Sequence, residues 1–491
     1  MRQLQQLFNI DNTMKVYSIH SDSRYVKPYS IFFCIEGLSV DGHQYVEDAI
    51  FQGAKCIVHS KALPEYRKDI IYIRVKNTLE ELNRVANVFY DYPSRKMKVI
   101  GIAGTAGKTV VASLVKNAMS QFCKTGYIGT ISFEYDNTIV ESPYTTPETI
   151  FLQRNLFRMQ KQEVKVVAME TSSHGLALGR VDGVHFDIAV LTNLDKEHLD
   201  FHGTKERYIQ AKLKLFQKLD EQGVGVINND DANSERFILE TKGRVITYGI
   251  DKESDVMAKN IVLSINKTFF DLHVKGQVYH ISTRIVGMFN IYNILALAGV
   301  LLALGSDDKM IMSTLKNVDA VAGRMEVLQH DLPFHIIVDY CQTLKNYEDV
   351  FSFVKEVKQS NARLIVVMGA PAKRNIKNRR ALGQLVNKYC DHAILTEMDD
   401  RGENVETICE TIQKELKDIN SVIITSRQIA IEQALELACA DDVILILGKG
   451  HEQFISLSVG KAEYPGDKEV ALEALKRIYG GSNEDELQYY D

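Results

Sequence analysis

The feature that most constrains this chain is a glycine-rich segment, which connects an apolar run to an amphipathic one. The segment reads GIAGTAGKT from Gly101 to Thr109, and the residues after it place Val111, Leu114 and Val115 at helical spacing. A strand, a glycine loop and a helix in this order are typical of a phosphate-binding loop. Glycines allow backbone N–H groups to point at one anion, and a helix N-terminus favours negative charge. The segment therefore predicts a nucleotide site.

Two side chains at the end of this segment fit nucleotide chemistry. Lys108 can reach the outer phosphates, and Thr109 can ligate Mg²⁺. The strict spacing G-x-x-x-x-G-K-T is not met, because Ile102 stands where the first glycine would be. A tight glycine turn with an incidental lysine is the alternative, but the flanking strand and helix patterns favour the nucleotide site.

The rest of the chain alternates short β-branched runs with amphipathic stretches, which predicts an α/β fold with mostly parallel sheets. At about 150 residues per domain, 491 residues suggest about three domains. We place them at 1–97, 98–325 and 326–491, with a linker over 91–98 and a β-rich insert after residue 250. The predicted strands are 31–37, 56–60, 70–75, 99–103, 164–169, 188–192, 224–228, 335–340, 364–369, 392–397, 421–425 and 442–448. Helices are predicted over 43–54 and 290–305.

Composition narrows the class of protein. The net charge of −6 argues against a nucleic-acid protein that relies on a general basic field. Seven cysteines without a C-x-x-C pair argue against a disulfide framework or a zinc site. The first residues lack the apolar run of a signal peptide, and no stretch of about 18 apolar residues predicts a membrane span. We therefore expect a cytoplasmic multidomain enzyme without membrane insertion.

A second group of polar residues follows two later strands, where open α/β sheets place their ligands. Glu170 ends the run VKVVAME, and His198 follows the run DIAVLTN. They could supply a carboxylate and an imidazole to a magnesium–nucleotide site. The alternative makes Glu170 a helix N-terminal charge and His198 a capping or surface residue. Lys212 lies in the amphipathic stretch YIQAKLKLFQKL, where a solvated lysine is the default.

Taken together, the motifs resemble the Mur ligases. The fragments GIAGTAGKT, TTPE, METSSHGLALGRVDGVHFDIAVLTNL, EHLDFHGT, AKLKLF, GMFNIYN, GRMEVL, VDY and GKGHE occur in that family's order. The resemblance runs from 21–24 to 448–452 and is greatest to the branch that makes UDP-N-acetylmuramoyl-tripeptide. It implies a UDP-substrate domain, a central ATPase domain of the phosphate-loop type and a Rossmann-like C-terminal domain.

The resemblance also implies a reaction and its site residues. ATP would phosphorylate the terminal carboxylate of a UDP-MurNAc-dipeptide, and the amine of an incoming amino acid would attack the acyl phosphate. The ATP-binding positions would be Gly104, Thr105, Gly107, Lys108, Thr109, Asn290, Asn293, Arg324 and Asp339. Thr109, Glu170 and His198 match metal-site positions, with Lys108, Glu170, His198 and Lys212 as the catalytic set. Lys212 matches a lysine that the family usually carries as N6-carboxylysine, which would support a second Mg²⁺.

Substrate selection is implied in the same way. The positions for the UDP-sugar-peptide are Ser23, Thr145, Thr146, Ser172 and Arg180, and those for the amino acid are Arg374, Arg401, Gly448 and Glu452. Several positions depart from the family pattern, namely Ala106, Tyr144, Cys341, Gln342 and Met398-Asp399-Asp400 of the selector, which reads D-N-P-R in diaminopimelate-adding enzymes. The surviving arginines favour meso-diaminopimelate over L-lysine, since an arginine fork suits a carboxylate. An arginine paired with a neighbouring aspartate would instead leave the pocket to another amino acid.

The sequence leaves three candidate functions open. The first is a monomeric tripeptide synthetase of peptidoglycan precursor synthesis, and hence of cell-wall growth, cell shape and division. The second is a paralogue with the same chemistry on another acceptor or amino acid. The third is a non-catalytic nucleotide-binding relative, which would have no physical need for the metal and phosphate residues.

Overall fold

The structure, a computed structural model, describes residues 1–37, 40–136, 138–142, 144–195, 197–373 and 376–480. The chain divides into two compact units. Unit 1 comprises Met1–Met257 and Tyr292–Asp307, and unit 2 comprises Ala258–Ile291 and Asp308–Asp491. The domain boundaries near residues 97 and 325 stay predictions. None of the described helices is both long and apolar enough to cross a membrane.

Unit 1 begins with a parallel sheet, which confirms the α/β character predicted for the first part of the chain. Its elements are β1 (Arg2–Gln3), α1 (Leu4–Leu7), β2 (Lys15–Val16), β3 (Ser18–His20), β4 (Ser30–Phe33), α2 (Val46–Phe51), β5 (Ala54–His59), β6 (Ile71–Arg74) and α3 (Thr78–Phe89), with 3-10 helices at Ser23–Tyr25 and Gly42–Tyr45. Strands β3 to β6 pair in sequence order. Helix α2 is shorter than the helix predicted over 43–54, because its first residues form the 3-10 helix Gly42–Tyr45 and because Gly53 adopts a φ of 105° and turns the chain into β5.

The segment over 91–98, which was predicted to be a linker, is ordered and partly buried. It forms a 3-10 helix, Pro93–Lys96, in which Pro93 and Ser94 are buried. Ser94 Oγ accepts a hydrogen bond from the His185 backbone N–H at 3.0 Å. The basic side chains that suggested a linker are exposed on one face, while the other face packs against unit 1.

The second part of unit 1 is built on the sheet that carries the phosphate loop. Its elements are β7 (Lys98–Ala103), α4 (Lys108–Ser120), β8 (Thr125–Ile128), β9 (Phe133–Tyr135), β10 (Thr138–Val140), α5 (Thr149–Lys161), β11 (Val166–Glu170), α6 (Ser173–Ala177), β12 (Ile188–Leu191), α7 (Leu199–His202), α8 (Lys205–Gln217), β13 (Val224–Asn228), α9 (Ser234–Glu240), β14 (Arg244–Gly249) and β15 (Val256–Leu263, shared with unit 2). The strand order is β10-β9-β8-β11-β7-β12-β13-β14, and all pairs from β8 to β14 are parallel. The four strands predicted here are confirmed to within two residues at each end.

The order of these strands decides which residues meet at the carboxyl edge. Strand β7 lies between β11 and β12, with Glu170 opposite Ile102 and Leu191 opposite Ala103. The glycine loop that follows β7 is therefore flanked by the ends of both neighbouring strands. Parallel strands buried on both faces read as continuous apolar runs, as β7, β11 and β12 do.

Unit 2 contains a β-hairpin and a mostly parallel sheet. Its elements are β16 (Thr268–Val274), β17 (Gln277–Thr283), α10 (Met288–Ala303, shared with unit 1), α11 (Asp308–Asn317), β18 (Glu326–Val327), β19 (His335–Asp339), α12 (Leu344–Val357), β20 (Leu364–Met368), α13 (Asn378–Tyr389), β21 (His392–Leu395), α14 (Val405–Gln413), β22 (Asn420–Ile423), α15 (Arg427–Leu437), β23 (Val443–Leu447), β24 (Phe454–Ser456), β25 (Lys461–Glu463) and α16 (Asp467–Tyr479). Six described strands follow the order β18-β19-β23-β20-β21-β22, with only the β18–β19 pair antiparallel. The five predicted strands of this part and the predicted α/β class are confirmed.

Candidate active site

The glycine loop between β7 and α4 has the shape of a phosphate cradle. Gly107 is the N-cap of α4 and has a φ of 82°, a left-handed conformation that favours glycine. A Cβ atom on Gly104 would lie 1.7 Å from Thr192 Oγ1, and one on Gly107 would lie 2.5 Å from Asn293 Oδ1. Both positions therefore require glycine, and the strand, loop and helix predicted around them are present.

Side chains that follow β12 hold this loop in place. Thr192 Oγ1 donates to the Ala106 carbonyl at 2.6 Å. The Asn193 amide accepts from the Ala106 N–H at 3.0 Å and donates to its carbonyl at 3.1 Å. Because these contacts use only the backbone of Ala106, the departure from the family pattern at this position leaves them intact. Asn193 was not predicted from the sequence, although its position directly after a strand was a usable signal.

Two lysines converge on one backbone carbonyl of the loop. Lys108 Nζ donates to the Gly104 and Thr105 carbonyls at 2.8 Å each. Lys212 Nζ donates to the same Gly104 carbonyl at 2.6 Å, and Lys212 is 1% exposed. Burial, together with the charge of Lys108, holds the pKa of Lys212 well below its ordinary value.

The helical pattern favoured a solvated lysine at position 212, and that prediction is therefore wrong. Helix α8 packs this face against the phosphate loop, so that the Lys212 ammonium lies 4.6 Å from the centre of the Tyr208 ring. The Tyr208 hydroxyl in turn shares a hydrogen bond of 2.7 Å with Thr105 Oγ1. Helical spacing alone does not reveal which neighbour a lysine meets.

Glu170 is a fully buried carboxylate at the end of β11, and it is 1% exposed. Thr109 Oγ1 donates to Oε2 at 2.9 Å, and the Tyr127 hydroxyl donates to Oε1 at 2.6 Å. The Thr130 N–H donates to Oε1 at 2.9 Å and its hydroxyl to Oε2 at 3.2 Å. These donors fix the carboxylate beside the phosphate loop. Tyr127 and Thr130 were not predicted, because they come from β8 and its loop, whose place next to β11 depends on the strand order.

The pair Thr109 and Glu170 fits Mg²⁺, because a hydroxyl and a carboxylate are hard oxygen ligands. Among the described residues, no group of three or more His, Cys, Asp or Glu side chains is arranged to hold a metal ion. Magnesium commonly uses one or two protein oxygens together with substrate phosphates and water. The donor set therefore suits a magnesium–nucleotide complex rather than a metal ion held by protein alone.

His198 is placed differently from the buried Glu170. It is the N-cap of α7, with a φ of 53°, and its side chain is 44% exposed. Its ring lies 4.8 Å from the ring of His174 in an edge-to-face arrangement. The side chain makes no N-cap hydrogen bond and is exposed, which agrees with the surface alternative, and a role in binding metal stays a prediction.

The residues predicted to contact the sugar-peptide lie beside Glu170. Thr146 Oγ1 donates to the Glu170 carbonyl at 2.9 Å and accepts from the Ser172 N–H at 2.8 Å. Thr145 Oγ1 is 3.0 Å from Thr130 Oγ1, which also contacts the Glu170 carboxylate. This network links the predicted acceptor positions to the predicted metal position.

Arg180 extends the same network. Its Nη1 donates to the Thr146 carbonyl at 3.0 Å, and its guanidinium lies 4.7 Å from the centre of the Tyr144 ring. Tyr144, a departure from the family pattern, therefore covers one face of Arg180, which is predicted to bind the substrate. Ser23 lies in the first sheet region of unit 1, at the start of a 3-10 helix, and is 7% exposed.

The predicted adenine and ribose positions occur in both units. In unit 1, Asn293 is 5% exposed and approaches Gly107 as described above. In unit 2, Asn290 Nδ2 donates to the Val286 carbonyl at 2.8 Å. Within the described part of unit 2, Arg324 Nε is buried without a hydrogen-bond acceptor, and the guanidinium lies 4.6 Å from the Tyr340 ring centre.

Asp339 ends β19 and is 8% exposed. Oδ2 accepts from the Met325 N–H at 2.8 Å, and Oδ1 lies 3.0 Å from Cys341 Sγ, which donates to it. Burial raises the pKa of Asp339, while the nearby Arg324 acts in the opposite direction. The contact to Cys341 exists because cysteine stands where the family pattern has alanine.

The predicted amino-acid positions form a second cluster in unit 2. Arg401 Nη2 donates to Asp399 Oδ2 at 2.9 Å, so the arginine is paired internally. The Tyr340 hydroxyl donates to Glu452 Oε1 at 2.9 Å. Gly448 has a φ of 110°, and its carbonyl accepts from Gln342 Nε2 at 2.9 Å. Arg374, the remaining predicted position, lies outside the described residues.

Comparison with protein families gives three matches in chain order. Residues 15–97 match the Mur ligase family, catalytic domain; residues 102–301 match the Mur ligase middle domain; and residues 323–450 match the Mur ligase, glutamate ligase domain. Among curated relatives, the UDP-N-acetylmuramoyl-L-alanyl-D-glutamate–2,6-diaminopimelate ligase of Halalkalibacterium halodurans is 37% identical over 465 residues, covering 94% of each chain. The protein of the same name from Bacillus cereus is 36% identical over 469 residues, again covering 94% of each.

Solved structures show the same fold. A structure of a UDP-N-acetylmuramoyl-L-alanyl-D-glutamate–2,6-diaminopimelate ligase superposes with a TM-score of 0.72 at 24% identity, covering 97% of this chain and 99% of the other. A MurF ligase from Thermotoga maritima in complex with ADP superposes with a TM-score of 0.60 at 17% identity, covering 94% and 97%.

Proposed function

The chain belongs to the Mur ligase family, with its three-domain α/β fold, and on that premise we propose that it is the ATP-dependent ligase that adds meso-diaminopimelate to UDP-MurNAc-L-Ala-D-Glu. This reaction belongs to peptidoglycan precursor synthesis, and we place it in the cytoplasm. One observation supports the ligase chemistry above all others. Lys108 and Lys212 meet at the Gly104 carbonyl, next to the buried pair Thr109 and Glu170.

The chemistry divides a difficult condensation into two accessible steps. A carboxylate oxygen of the D-glutamate attacks the γ-phosphorus of ATP, and ADP leaves. The amine of diaminopimelate then attacks the carbonyl carbon of the acyl phosphate and loses a proton, and phosphate leaves with that carboxylate oxygen. Such reactions depend mainly on positioning and on neutralising negative charge.

The residues of this chain supply those two contributions. The loop N–H groups and the N-terminus of α4 receive the phosphates. Lys108 donates hydrogen bonds to two loop carbonyls in this structure, and its ammonium can bind phosphate oxygens instead when a nucleotide enters. Thr109 and Glu170 would hold Mg²⁺, which supplies further neutralisation of phosphate charge when bound. Thr146, Ser172 and Arg180 would hold the sugar-peptide carboxylate close to this point.

We also propose that Lys212 carries a carbamate in the active enzyme. Carbamylation joins CO₂ to a neutral amine with release of a proton, and the lowered pKa of Lys212 keeps its amine neutral at a lower pH than an exposed lysine. The product is an anion, which would be attracted to Lys108 and could help to hold a second Mg²⁺.

A second candidate function has one observation in its favour. The ion pair between Arg401 and Asp399 engages a guanidinium that would otherwise be available to a substrate carboxylate. A ligase of the same chemistry with a different amino acid, such as L-lysine, would tolerate that pairing. The names of the relatives support diaminopimelate.

The two candidates are separated by ATP-dependent phosphate release in the presence of Mg²⁺, UDP-MurNAc-L-Ala-D-Glu and single amino acids. We expect phosphate release with meso-diaminopimelate that exceeds the release with L-lysine. Turnover only with another amino acid or another acceptor would favour the second candidate. ATP binding without turnover on any acceptor would indicate a non-catalytic relative.

A further inference from the structure

Lys449 is a buried cation that no step above uses. It follows β23 in the loop between Gly448 and Gly450, and its side chain is 0% exposed. Its ammonium donates to Asp399 Oδ1 at 3.1 Å and to the Glu452 carboxylate. A buried ammonium is costly unless it is paired and hydrogen-bonded, and Lys449 has two carboxylate partners.

Each of these carboxylates carries a second partner. The other oxygen of Asp399 accepts from Arg401 Nη2 at 2.9 Å, and the other oxygen of Glu452 accepts from the Tyr340 hydroxyl at 2.9 Å. Lys449 is therefore the centre of a continuous chain of polar groups from Arg401 to Tyr340. The chain contains two cations and two carboxylates, so its formal charge is zero.

The backbone around Lys449 is also held in place. The Gly450 N–H donates to Asp467 Oδ2 at 3.1 Å, and the Leu447 carbonyl accepts from Arg427 Nη2 at 3.0 Å. Arg427 and Asp467 are both 0% exposed and form an ion pair. Because the buried pair Arg427 and Asp467 holds the loop backbone on both sides of Lys449, the Lys449 ammonium approaches the two carboxylates from a fixed direction.

We propose that Lys449 is a positioning and specificity-determining residue for the incoming amino acid. This inference rests on the proposed function and on the prediction from the sequence that Arg401 and Glu452 contact that amino acid. Lys449 sets the spacing between the two groups, because it bridges the carboxylate that orients Arg401 and the carboxylate of Glu452 itself. It also keeps this chain of groups neutral, which suits an amino acid whose side-chain end carries both a carboxylate and an ammonium. Without Lys449 the formal charge of the same groups is −1. That charge favours an amino acid whose side chain ends in an ammonium alone.

The test compares Lys449→Met with a matched control, Lys461→Met. The ammonium groups of Lys449 and Lys461 lie 4.8 and 3.8 Å from the centre of the same Phe454 ring, but Lys461 is exposed. For Lys449→Met we expect the KM for meso-diaminopimelate to rise about 30-fold or more, because the buried Asp399 and the partly buried Glu452 each lose a partner. The KM for ATP should stay within about 3-fold of wild type, and the ratio of kcat/KM for diaminopimelate over L-lysine should fall about 10-fold. Lys461→Met should leave all of these values within about 2-fold.

A charge-preserving variant covers the case in which Lys449→Met does not fold. Lys449→Arg, checked for native circular dichroism, should keep the preference for diaminopimelate over lysine within about 3-fold of wild type, since the chain of charged groups stays neutral. A folded Lys449→Arg that loses the preference would overturn the proposal. So would a Lys449→Met variant with an unchanged KM for diaminopimelate, or with equal increases in the KM values for ATP and diaminopimelate.

The wild-type assay separates this inference from the proposed function. If wild type does not use diaminopimelate, the proposed function fails, and the variants are then measured with the amino acid that wild type does use. A KM increase confined to that amino acid would still support a positioning role for Lys449. No increase would contradict it.

Discussion

At the scale of single residues, two buried lysines show how environment decides what a cation can do. Lys212 meets a backbone carbonyl and a second lysine, so its charged form is disfavoured and its amine is available for reaction. Lys449 meets two carboxylates, so its charged form is paired and its role is to hold them. Lys108 differs from both, because its present acceptors are loop carbonyls that a phosphate can replace.

Removing the Lys108 charge should stop the chemistry without unfolding the protein. We expect Lys108→Ala to lower kcat by about 10³-fold or more, because a charge next to the transferred phosphoryl group is lost. The measurement is phosphate release at saturating substrates. Lys116→Ala is the matched control on the same helix, since Lys116 pairs with Glu134 at 3.0 Å. A Lys108→Ala variant with wild-type kcat would remove this lysine from the reaction.

Lys212→Ala tests the carbamate. We expect a loss of activity on the order of 10³-fold, partly restored by formate or acetate, whose carboxylate can replace the missing anion. Enzyme equilibrated with ¹³C-bicarbonate should show a carbamate carbon by NMR in wild type and none in the variant. The signal should grow as pH rises towards the lowered pKa of Lys212, because the neutral amine reacts. Lys214→Ala, an exposed lysine on the same helix, should retain both activity and signal. Full activity in Lys212→Ala would contradict the role.

At the scale of elements, the parallel order β8-β11-β7-β12 assembles the phosphate end of the site. Apolar runs and glycine positions were sufficient to predict β7, β11 and β12 and the loop after β7. They could not predict that Tyr127 on β8 would contact Glu170, because strand order depends on packing of the whole sheet. The burial of Lys212 could not be predicted for the same reason, since helical spacing does not identify the neighbouring element. The internal pairing of Arg401 was one of two alternatives that the sequence left open.

The loop after β23 gives a pH-dependent prediction. His451 packs against the Tyr340 ring at 5.0 Å, and burial, with the charges of Arg324 and Lys449, lowers its pKa to about 3. Between pH 6.5 and 3 the unfolded chain binds a proton that the folded chain does not, so the free energy of unfolding falls as pH falls, by at most about 1.4 kcal/mol per pH unit. Replacing His451 with Gln should reduce this loss by about 2 kcal/mol between pH 6.5 and 5.

Urea unfolding at a series of pH values measures this effect. The control is His280→Gln, because the His280 side chain is 88% exposed and its partner Asp271, whose pKa is lowered by hydrogen bonds from Asn260 and His280, stays ionised between pH 6.5 and 5. The control should follow the wild-type pH dependence. An equal pH dependence in His451→Gln and wild type would show that His451 titrates alike in the folded and unfolded chains.

At the scale of the whole molecule, an acidic protein of net charge −6 would act on highly anionic substrates. The positive groups must therefore be local, and the structure places Lys108 and Arg180 within the described network of unit 1. Composition excluded a general basic field, but it could not locate these groups. The family matches across residues 15–97, 102–301 and 323–450 identify the three parts of the predicted organisation as Mur ligase domains. The exact domain boundaries stay predictions.

Oxygen transfer tests whether this assembly uses an acyl phosphate. With ¹⁸O in the terminal D-glutamate carboxylate of the acceptor, we expect one ¹⁸O atom in each phosphate released, because that oxygen leaves with the phosphoryl group. Mass spectrometry of the phosphate measures the label. Phosphate from a reaction with unlabelled acceptor in ¹⁸O-water is the control and should stay unlabelled. Release of phosphate with no label from the acceptor would indicate ATP hydrolysis rather than ligation.

The most direct test of the proposed function is the mass of the product formed in competition. Wild-type protein is incubated with ATP, Mg²⁺, UDP-MurNAc-L-Ala-D-Glu and equal concentrations of meso-diaminopimelate and L-lysine. We predict a UDP-MurNAc-tripeptide whose mass contains diaminopimelate, with one phosphate released per tripeptide formed. A product that contains lysine, or phosphate release without any tripeptide, would contradict the proposed function.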